Sequence, residues 1–285
     1  MELYDLEQGM NAVGTGGSVL NVQELTGIQA GLGLLKAQEK YKTIYFWGKI
    51  LGLQSDYYVA YGLKDPEFEF PAKVFYFAGD DFDFKPMPKL NQEQAAKVLA
   101  LGVDKPFLGV ADRSIEPVVE GEEDAPPPDA EGEEGTPPKP AKLTEADRLS
   151  QVVLEIDFNT CAVPKGAYRL NEEHNIVPST SFKGLGATEA TSLSKYVHFR
   201  PPVSIAALRA LARTDAEFYA NFSDPLEDDL PKGCWAVRQD PSANLVTLRS
   251  LAWPGYIAYH IPNTNKFGGV YFGYAQKCRD LPFML

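Results

Sequence analysis

YKTIYFWGKILGLQSDYYVAYGL, Tyr41 to Leu63, holds seven aromatic residues and reads as a β-hairpin. TIYFW (43–47) is β-branched and aromatic, as strands favour. GLQSD (52–56) supplies turn chemistry and YYVAY (57–61) returns. On ideal alternation Thr43, Tyr45, Trp47 and Lys49 share one face, and Ile44, Phe46, Gly48 and Ile50 share the other. A strand with one face in water should alternate apolar with polar; this one does so poorly. Either the chain covers both faces of the sheet, or another protein covers one. Tyr and Trp pair an apolar body with a polar tip, which suits an interface. Tyr45, Trp47, Tyr57 and Tyr58 are therefore candidate partner contacts.

Outward from the hairpin, residues 1–18 end in GTGGS and read as a loose arm. In NVQELTGIQAGLGLLKAQEK (21–40), Asn21 with Glu24 makes an N-terminal cap, and Val22, Leu25, Ile28, Leu32 and Leu35 recur at helical spacing. Gly27, Gly31 and Gly33 oppose that helix by about 1 kcal/mol each, so it needs a surface to pack on, closely approached. VFYF (74–77) is a further strand, and residues 92–101 form a helix stopped by Gly102.

From 112 to 142 the chain is acidic, rich in proline and glycine, and lacks aromatic residues. Such a composition buries too little apolar area to offset chain entropy, so it is expected to be disordered, as a linker or a long surface insertion. It divides a region at 19–111 from one at 143–285, which can share one sheet system.

In the second region 143–149 reads as a helical turn entering a strand at 151–158 (QVVLEIDF), and NTCAVPKGAY as turn plus strand. Helices are expected at 187–199, 205–212 and 215–222. CWAVRQ, LVTLRSL, YIAYHI and VYFGY are strands separated by turns, with residues 240–244 a hairpin link. WPGY (253–256) is a rigid turn adding Trp253 and Tyr256 to the candidate contacts. The apolar end DLPFML (280–285) is unlike a fraying polar terminus; it is expected in a groove of this chain or of a partner, with Phe283 as anchor. The fold class is α+β, mainly antiparallel sheets with a few packing helices.

The formal charge is −12, of which a net −8 lies between Glu116 and Pro140, leaving −4 elsewhere. Neither part has the basic excess of a nucleic-acid binder. No apolar run approaches the ~20 residues that span a bilayer, and MELYDLEQGM does not read as a signal or transit peptide. Cys161, Cys234 and Cys278 are far apart and form no C-x-x-C pair, so neither a disulfide framework nor a zinc site is expected. The chain reads as intracellular and reduced, and the sequon at Asn221 as chance.

Catalytic patterns fail. Gly48-Lys49 is followed by Ile50 and has Thr43 where a phosphate-binding loop needs glycine, and GLGLL (31–35) lacks the third glycine of a dinucleotide fingerprint. His174, His198 and His260 are scattered and read as surface or hydrogen-bonded residues. The paired acids Asp80-Asp81 and Asp228-Asp229 read as solvated turns. No nucleophile elbow occurs. Neither metal nor cofactor is expected, and nothing argues for an enzyme.

FWGKILGLQSDYYVAYGL (46–63), KYVHFRPPV (195–203), LPKGCWAVR (230–238), LRSLAWPGYIAYHIP (248–262), FGGVYFGY (267–274) and the terminal DLPFML resemble the family of radial spoke head protein 9, related to spoke-head proteins 4 and 6 of motile cilia and flagella. The resemblance runs from about Leu20 to Leu285 and is weakest in the arm and the acidic tract. It implies a non-enzymatic structural subunit of the axonemal spoke head. Such a subunit pairs with a protein 4/6-type paralogue, touches other spoke-head subunits, and passes central-pair contact toward the dynein arms. The acidic tract would then serve as an electrostatic cushion or as a solvated loop without consequence. The competing expectations are a peptide- or carbohydrate-binding β module with its rings in one open cleft and, with no positive sign, a hydrolase with dispersed acids.

Overall fold

The computed structural model describes residues 1–15, 17, 19–64, 69–101, 105–115, 143–213, 215 and 221–284. Its frame is an eight-stranded sheet made from both ends of the chain. The first half supplies a meander of β1 (Ile44–Ile50), β2 (Tyr57–Leu63), β3 (Lys73–Ala78) and the short β4 (Lys85–Pro86). The second supplies β9 (Trp235–Asp240), β10 (Leu245–Ser250), β11 (Tyr256–His260) and β12 (Phe267–Gly273). The order across the sheet is β4-β3-β2-β1-β12-β11-β10-β9. Neighbours within each meander are antiparallel, whereas β1 and β12 join the halves in parallel, with Gly48 opposite Tyr271 and Ile50 opposite Gly273.

Both faces are covered from within the chain, which accounts for the two-sided hairpin. On one face lie α1 (Leu6–Gly14) and α2 (Val22–Glu39), where Leu6, Val13, Ile28 and Leu32 pack with Ile44, Phe46, Tyr58 and Val270. The capping box that starts α2 is present: the Glu24 N–H donates to Asn21 Oδ1 at 2.7 Å, and the Asn21 N–H donates to Glu24 Oε2 at 2.8 Å. Two of its glycines mark a close approach, since a Cβ on Gly27 would lie 2.4 Å from the Phe82 ring and one on Gly31 2.4 Å from the Phe82 carbonyl oxygen. The expected loose arm at 1–18 is not seen in its described part: Leu6 and Val13 are fully buried. An apolar i, i+4, i+7 stripe (Leu6, Met10, Val13) makes a docking helix there.

The other face is covered by α4 (Glu145–Thr160), the helix that follows the short α3 (Gln92–Ala100); its Leu149, Val152, Val153 and Ile156 pack on Ile50, Tyr57, Val59 and Tyr271. The expected strand at 151–158 is thus part of a helix. A Thr144–Asp147 capping box fixes its start, and the 149-152-153-156 spacing buries one stripe while Leu154 and Phe158 stay exposed. Helical periodicity overrides the β-branched preference of Val152 and Val153.

The alternation along β1 also changes part-way. Phe46 pairs with Ala60 but Gly48 with Val59, so Trp47 is the extra residue of a β-bulge. Lys49 therefore falls on the α2 side, bonded to Glu24 at 2.8 Å, and Ile50 on the α4 side. The assignment of Lys49 with Trp47, and of Ile50 with Phe46, is corrected accordingly.

Between α4 and β9, β5 (Ala162–Pro164) pairs with β8 (Tyr196–His198), and β6 (Tyr168–Leu170) with β7 (Ile176–Pro178). Together with α5 (Ile205–Leu211) they enclose a small core of Val163, Leu170, Ile176, Val197, Phe199 and Leu211. The helix expected at 187–199 is a series of turns ending in β8. Its hydroxyls bond locally, Thr191 Oγ1 to the Thr188 carbonyl at 2.8 Å and Ser192 to Ser194 at 2.8 Å, in competition with helical hydrogen bonds. The helix expected at 215–222 falls mostly outside the described residues, as does the acidic tract from 116 to 142. The residues flanking that tract meet: Ser114 bridges Thr144, and the Ile115 N–H donates to the Leu143 carbonyl at 3.0 Å.

Candidate functional site

The residues expected to touch a partner divide by environment. Trp47, Tyr57, Tyr58, Trp253 and Tyr256 are buried in this chain, Tyr45 is half-buried, and Phe283 is 90% exposed. Their polar tips find internal partners. The Tyr57 hydroxyl donates to Glu145 at 2.9 Å and that of Tyr58 to Glu24 at 2.9 Å. Burial and then the neighbouring carboxylate push both phenols well above their ordinary range. On α6 (Leu281–Met284) Leu281 is buried, but Phe283 and Met284 lie on the surface. Among the described residues no groove takes them, because the helix leaves their side chains facing solvent.

Tyr45, Trp47 and Tyr256 converge on a cavity of about 330 Å³ between β1, the N-terminal residues and the small core. Tyr45 stacks on Tyr61 with centroids 5.0 Å apart, and Tyr168 on Phe199 at 4.2 Å. Its floor is polar. Asp157 accepts from Trp47 Nε1 at 3.3 Å and from Lys73 Nζ at 2.5 Å, and Lys73 also donates to Cys161 Sγ at 3.2 Å. Burial opposes the charge on Lys73, but Asp157 and Cys161 outweigh it and hold the ammonium above its ordinary pKa. Burial raises the Cys161 thiol, partly countered by Lys73. The α-amino group of Met1 donates to the Phe46 carbonyl at 2.8 Å and to that of Gly269 at 3.4 Å, tying β1 to β12; burial lowers it to about 5.

A second, polar pocket of about 160 Å³ lies where residues 198–200, 229–235 and 250–253 meet the end of α4. His198 Nε2–H donates to both oxygens of Asp229 at 2.9 Å, and Trp235 Nε1–H donates to Asp229 Oδ2 at 2.7 Å. Arg200 donates through NH1 to Asp224 at 2.8 Å and through Nε to the Phe158 carbonyl at 2.7 Å, with its guanidinium 4.2 Å from the Phe158 ring centroid. Lys277 and Trp253 complete the wall. Burial raises the nearby Cys234 thiol to about 11, away from nucleophilic character.

Against known proteins, the family "Radial spokehead-like protein" matches residues 1–69. "Radial spoke head protein 9 homolog" of Danio rerio is 32% identical over 288 residues, covering all of both chains. The protein of the same name from Homo sapiens is 32% identical over 272 residues, 94% of each, and that from Bos taurus is 32% identical over 288 residues, all of both. The chain belongs to the radial spoke head protein 9 family.

For this radial spoke head family member, the matched segment 1–69 spans both N-terminal helices and the first two strands of the sheet. The tyrosines and tryptophans of the hairpin are visible in the sequence, but their internal partners are not. Lys73, Glu145 and Asp157 were missed. Lys73 and Asp157 left a faint signal, a charge beside an apolar run (AKVFYF, LEIDF), and such charges are rarely buried unless paired. Asp229, read as a solvated turn residue, is instead the acceptor for two buried rings. Among the described residues, no group of His, Cys, Asp and Glu is arranged to hold a metal ion, and no helix is long and apolar enough to cross a membrane.

Proposed function

We propose that this chain is a non-enzymatic structural subunit of the radial spoke head in the axoneme of motile cilia and flagella. It pairs there with a protein 4/6-type paralogue and helps pass central-pair contact toward the dynein arms. The full-length relationship to radial spoke head protein 9 homologues carries this reading. The architecture supports it: both ends of the chain are woven into one sheet capped on both faces, so a push on one half moves the other as a unit. Co-expression with a protein 4/6-type paralogue should give a heteromer by light scattering. A well-folded monomer indifferent to the paralogue would overturn the pairing.

A second reading, a peptide- or carbohydrate-binding β module, draws on the 330 Å³ cavity with its stacked rings. Glycan and peptide arrays separate the two: saturable binding lost in Tyr45→Ala would favour the module.

A further inference from the structure

Glu2 and Tyr45 face each other across an isolated antiparallel bridge. Residues opposed in this way send their side chains to the same face, with Cβ atoms about 5 Å apart. The half-buried Glu2 carboxylate therefore stands beside the Tyr45 ring in the wall of the 330 Å³ cavity. Among the described residues it has no ion pair and no side-chain hydrogen bond.

The other charges of that wall are matched. Asp5 pairs with Lys266, and Asp157 with Lys73 at 2.5 Å. Burial lowers the Met1 amine to about 5, so it is uncharged at neutral pH. With every partner counted, the cavity keeps one negative charge, on Glu2.

Much of the remaining wall is aromatic and within reach of an entering group. Tyr45, Tyr61, Tyr168, Phe182 and Phe267 line the space and are each half-buried. Tyr45 stacks on Tyr61 alone, which leaves its second face with no described ring against it. The Tyr61 and Tyr168 hydroxyls bond to no group among the described residues, and neither oxygen is enclosed. These rings already accept a cation from behind the wall: Lys73 Nζ lies 5.3 Å from the Tyr61 centroid and 5.6 Å from that of Phe199, inside the ~6 Å of a cation–π contact. The volume sits at the low end of ligand cavities, roughly 300–1,000 Å³, and suits one long side chain better than an oligosaccharide.

We propose that this cavity receives the ammonium of a lysine side chain from a partner polypeptide. The ammonium meets Glu2, its methylene stem lies along the Tyr45 and Tyr168 rings, and its N–H groups donate to the phenol oxygens. A neutral occupant would leave the Glu2 charge unmatched, and an acidic one would be repelled by it. Such a site rests on the second reading above, in its peptide form, and supplies the chemistry of the group taken; it does not require the spoke-head pairing.

The probe is the blocked tripeptide acetyl-Ala-Lys-Ala-amide, titrated into the full chain while the Gly268 and Gly269 amide resonances of the cavity wall are followed by NMR. Both should shift and saturate. Replacing the lysine by norleucine keeps the stem and removes the charge, and should weaken binding at least tenfold, the scale of a charge-assisted hydrogen bond with a cation–π contact. Glu2→Gln has no partner to lose, so it should leave the thermal melt unchanged and weaken the lysine peptide roughly tenfold. The norleucine comparison needs no variant and serves if Glu2→Gln does not fold. Three outcomes overturn the proposal. Equal binding of the norleucine peptide makes the cavity an apolar slot, and ammonium chloride binding as tightly as the peptide makes it a free-cation site. No saturable shift denies lysine altogether; methyl β-glucoside then separates the failures, since its saturation keeps a sugar-binding module and its silence removes the second reading as well.

Discussion

Gly48 and Tyr271 face each other where the two halves of the sheet join, and a Cβ at position 48 would lie 2.2 Å from the Tyr271 carbonyl oxygen. Gly48 also has φ of +155°, one residue past the Trp47 bulge. Position 48 is therefore closed to any side chain by contact and by backbone geometry together. Gly48→Ala should cost about 2–4 kcal/mol of stability, read as a lower urea midpoint. Because the contact is the seam between the meanders, far- and near-ultraviolet circular dichroism should lose structure in one transition. A loss under 1 kcal/mol would mean the strands separate at the seam without consequence.

The Glu145 carboxylate, 3% exposed at the first turn of α4, accepts from the Tyr57 hydroxyl, from the Leu108 N–H at 3.1 Å and from the Gly109 N–H at 2.8 Å. It pins the 107–109 loop to the sheet and places its charge where the helix dipole favours it. Glu145→Gln keeps the shape but turns an NH₂ toward donors. It should lower stability by about 2 kcal/mol, and Tyr57→Phe by about 1 kcal/mol. The double variant should cost less than the sum, because the two share one hydrogen bond. Additive losses in chemical denaturation would show that the pair is not coupled.

How much of this was readable in advance differs by element. Asn21 and Glu24 announce α2 because a capping box is a local device, and the C-terminal strands announce themselves through turn residues such as Asp240 and Asn244. The seam does not, since pairing β1 with β12 depends on residues more than 200 positions apart in sequence. The Trp47 bulge inverts the faces of Lys49 and Ile50, and no residue type signals it before the partner strand is known. Val152 and Val153 suit a strand or a buried helix equally, and packing against Tyr57 and Tyr271 decides. Aromatic residues on both faces could not say whether the cover was α1, α2 and α4 or another protein. Only the elements folded back on the sheet reveal that the chain supplies its own cover for Trp47, Tyr58 and Tyr256. The two pockets draw on segments scattered from Met1 to Lys277, so their composition appears only once the chain is folded.

His260 is fully buried, with Nε2 accepting from the Leu185 N–H at 3.1 Å and Nδ1–H donating to the Lys266 carbonyl at 3.2 Å. Nε2 has no room for a second proton while it accepts, and burial holds the imidazole below its ordinary 6.5, only partly offset by these bonds. The unfolded chain therefore takes up a proton first as pH falls. This contribution to stability is complete above 6.5 and is lost as pH drops from there toward the folded-state value. His260→Gln should flatten that part of the stability–pH curve relative to the parent. A His260 Hε1 resonance titrating at or above 6.5 in the folded protein would contradict the assignment.

Asp157, in the wall of the aromatic cavity, pairs with Lys73; their side chains are 13% and 12% exposed, with N and O atoms 2.5 Å apart. Removing one partner strands the other charge in a desolvated site, whereas removing both strands neither. Lys73→Met should therefore destabilise by about 3–5 kcal/mol, and Lys73→Met combined with Asp157→Leu should recover most of that loss. Recovery need not be complete, because Asp157 also accepts from Trp47 Nε1 and Lys73 also donates to Cys161. The Lys73→Met variant should further lose the partial lowering that Lys73 gives the Cys161 thiol, slowing its alkylation at a given pH. The thiol rate distinguishes a true pair from two charges solvated separately at the cavity mouth. If Lys73→Met costs under 1 kcal/mol and leaves the rate of Cys161 alkylation unchanged, the pair is exposed and weak, and the cavity floor is open to water.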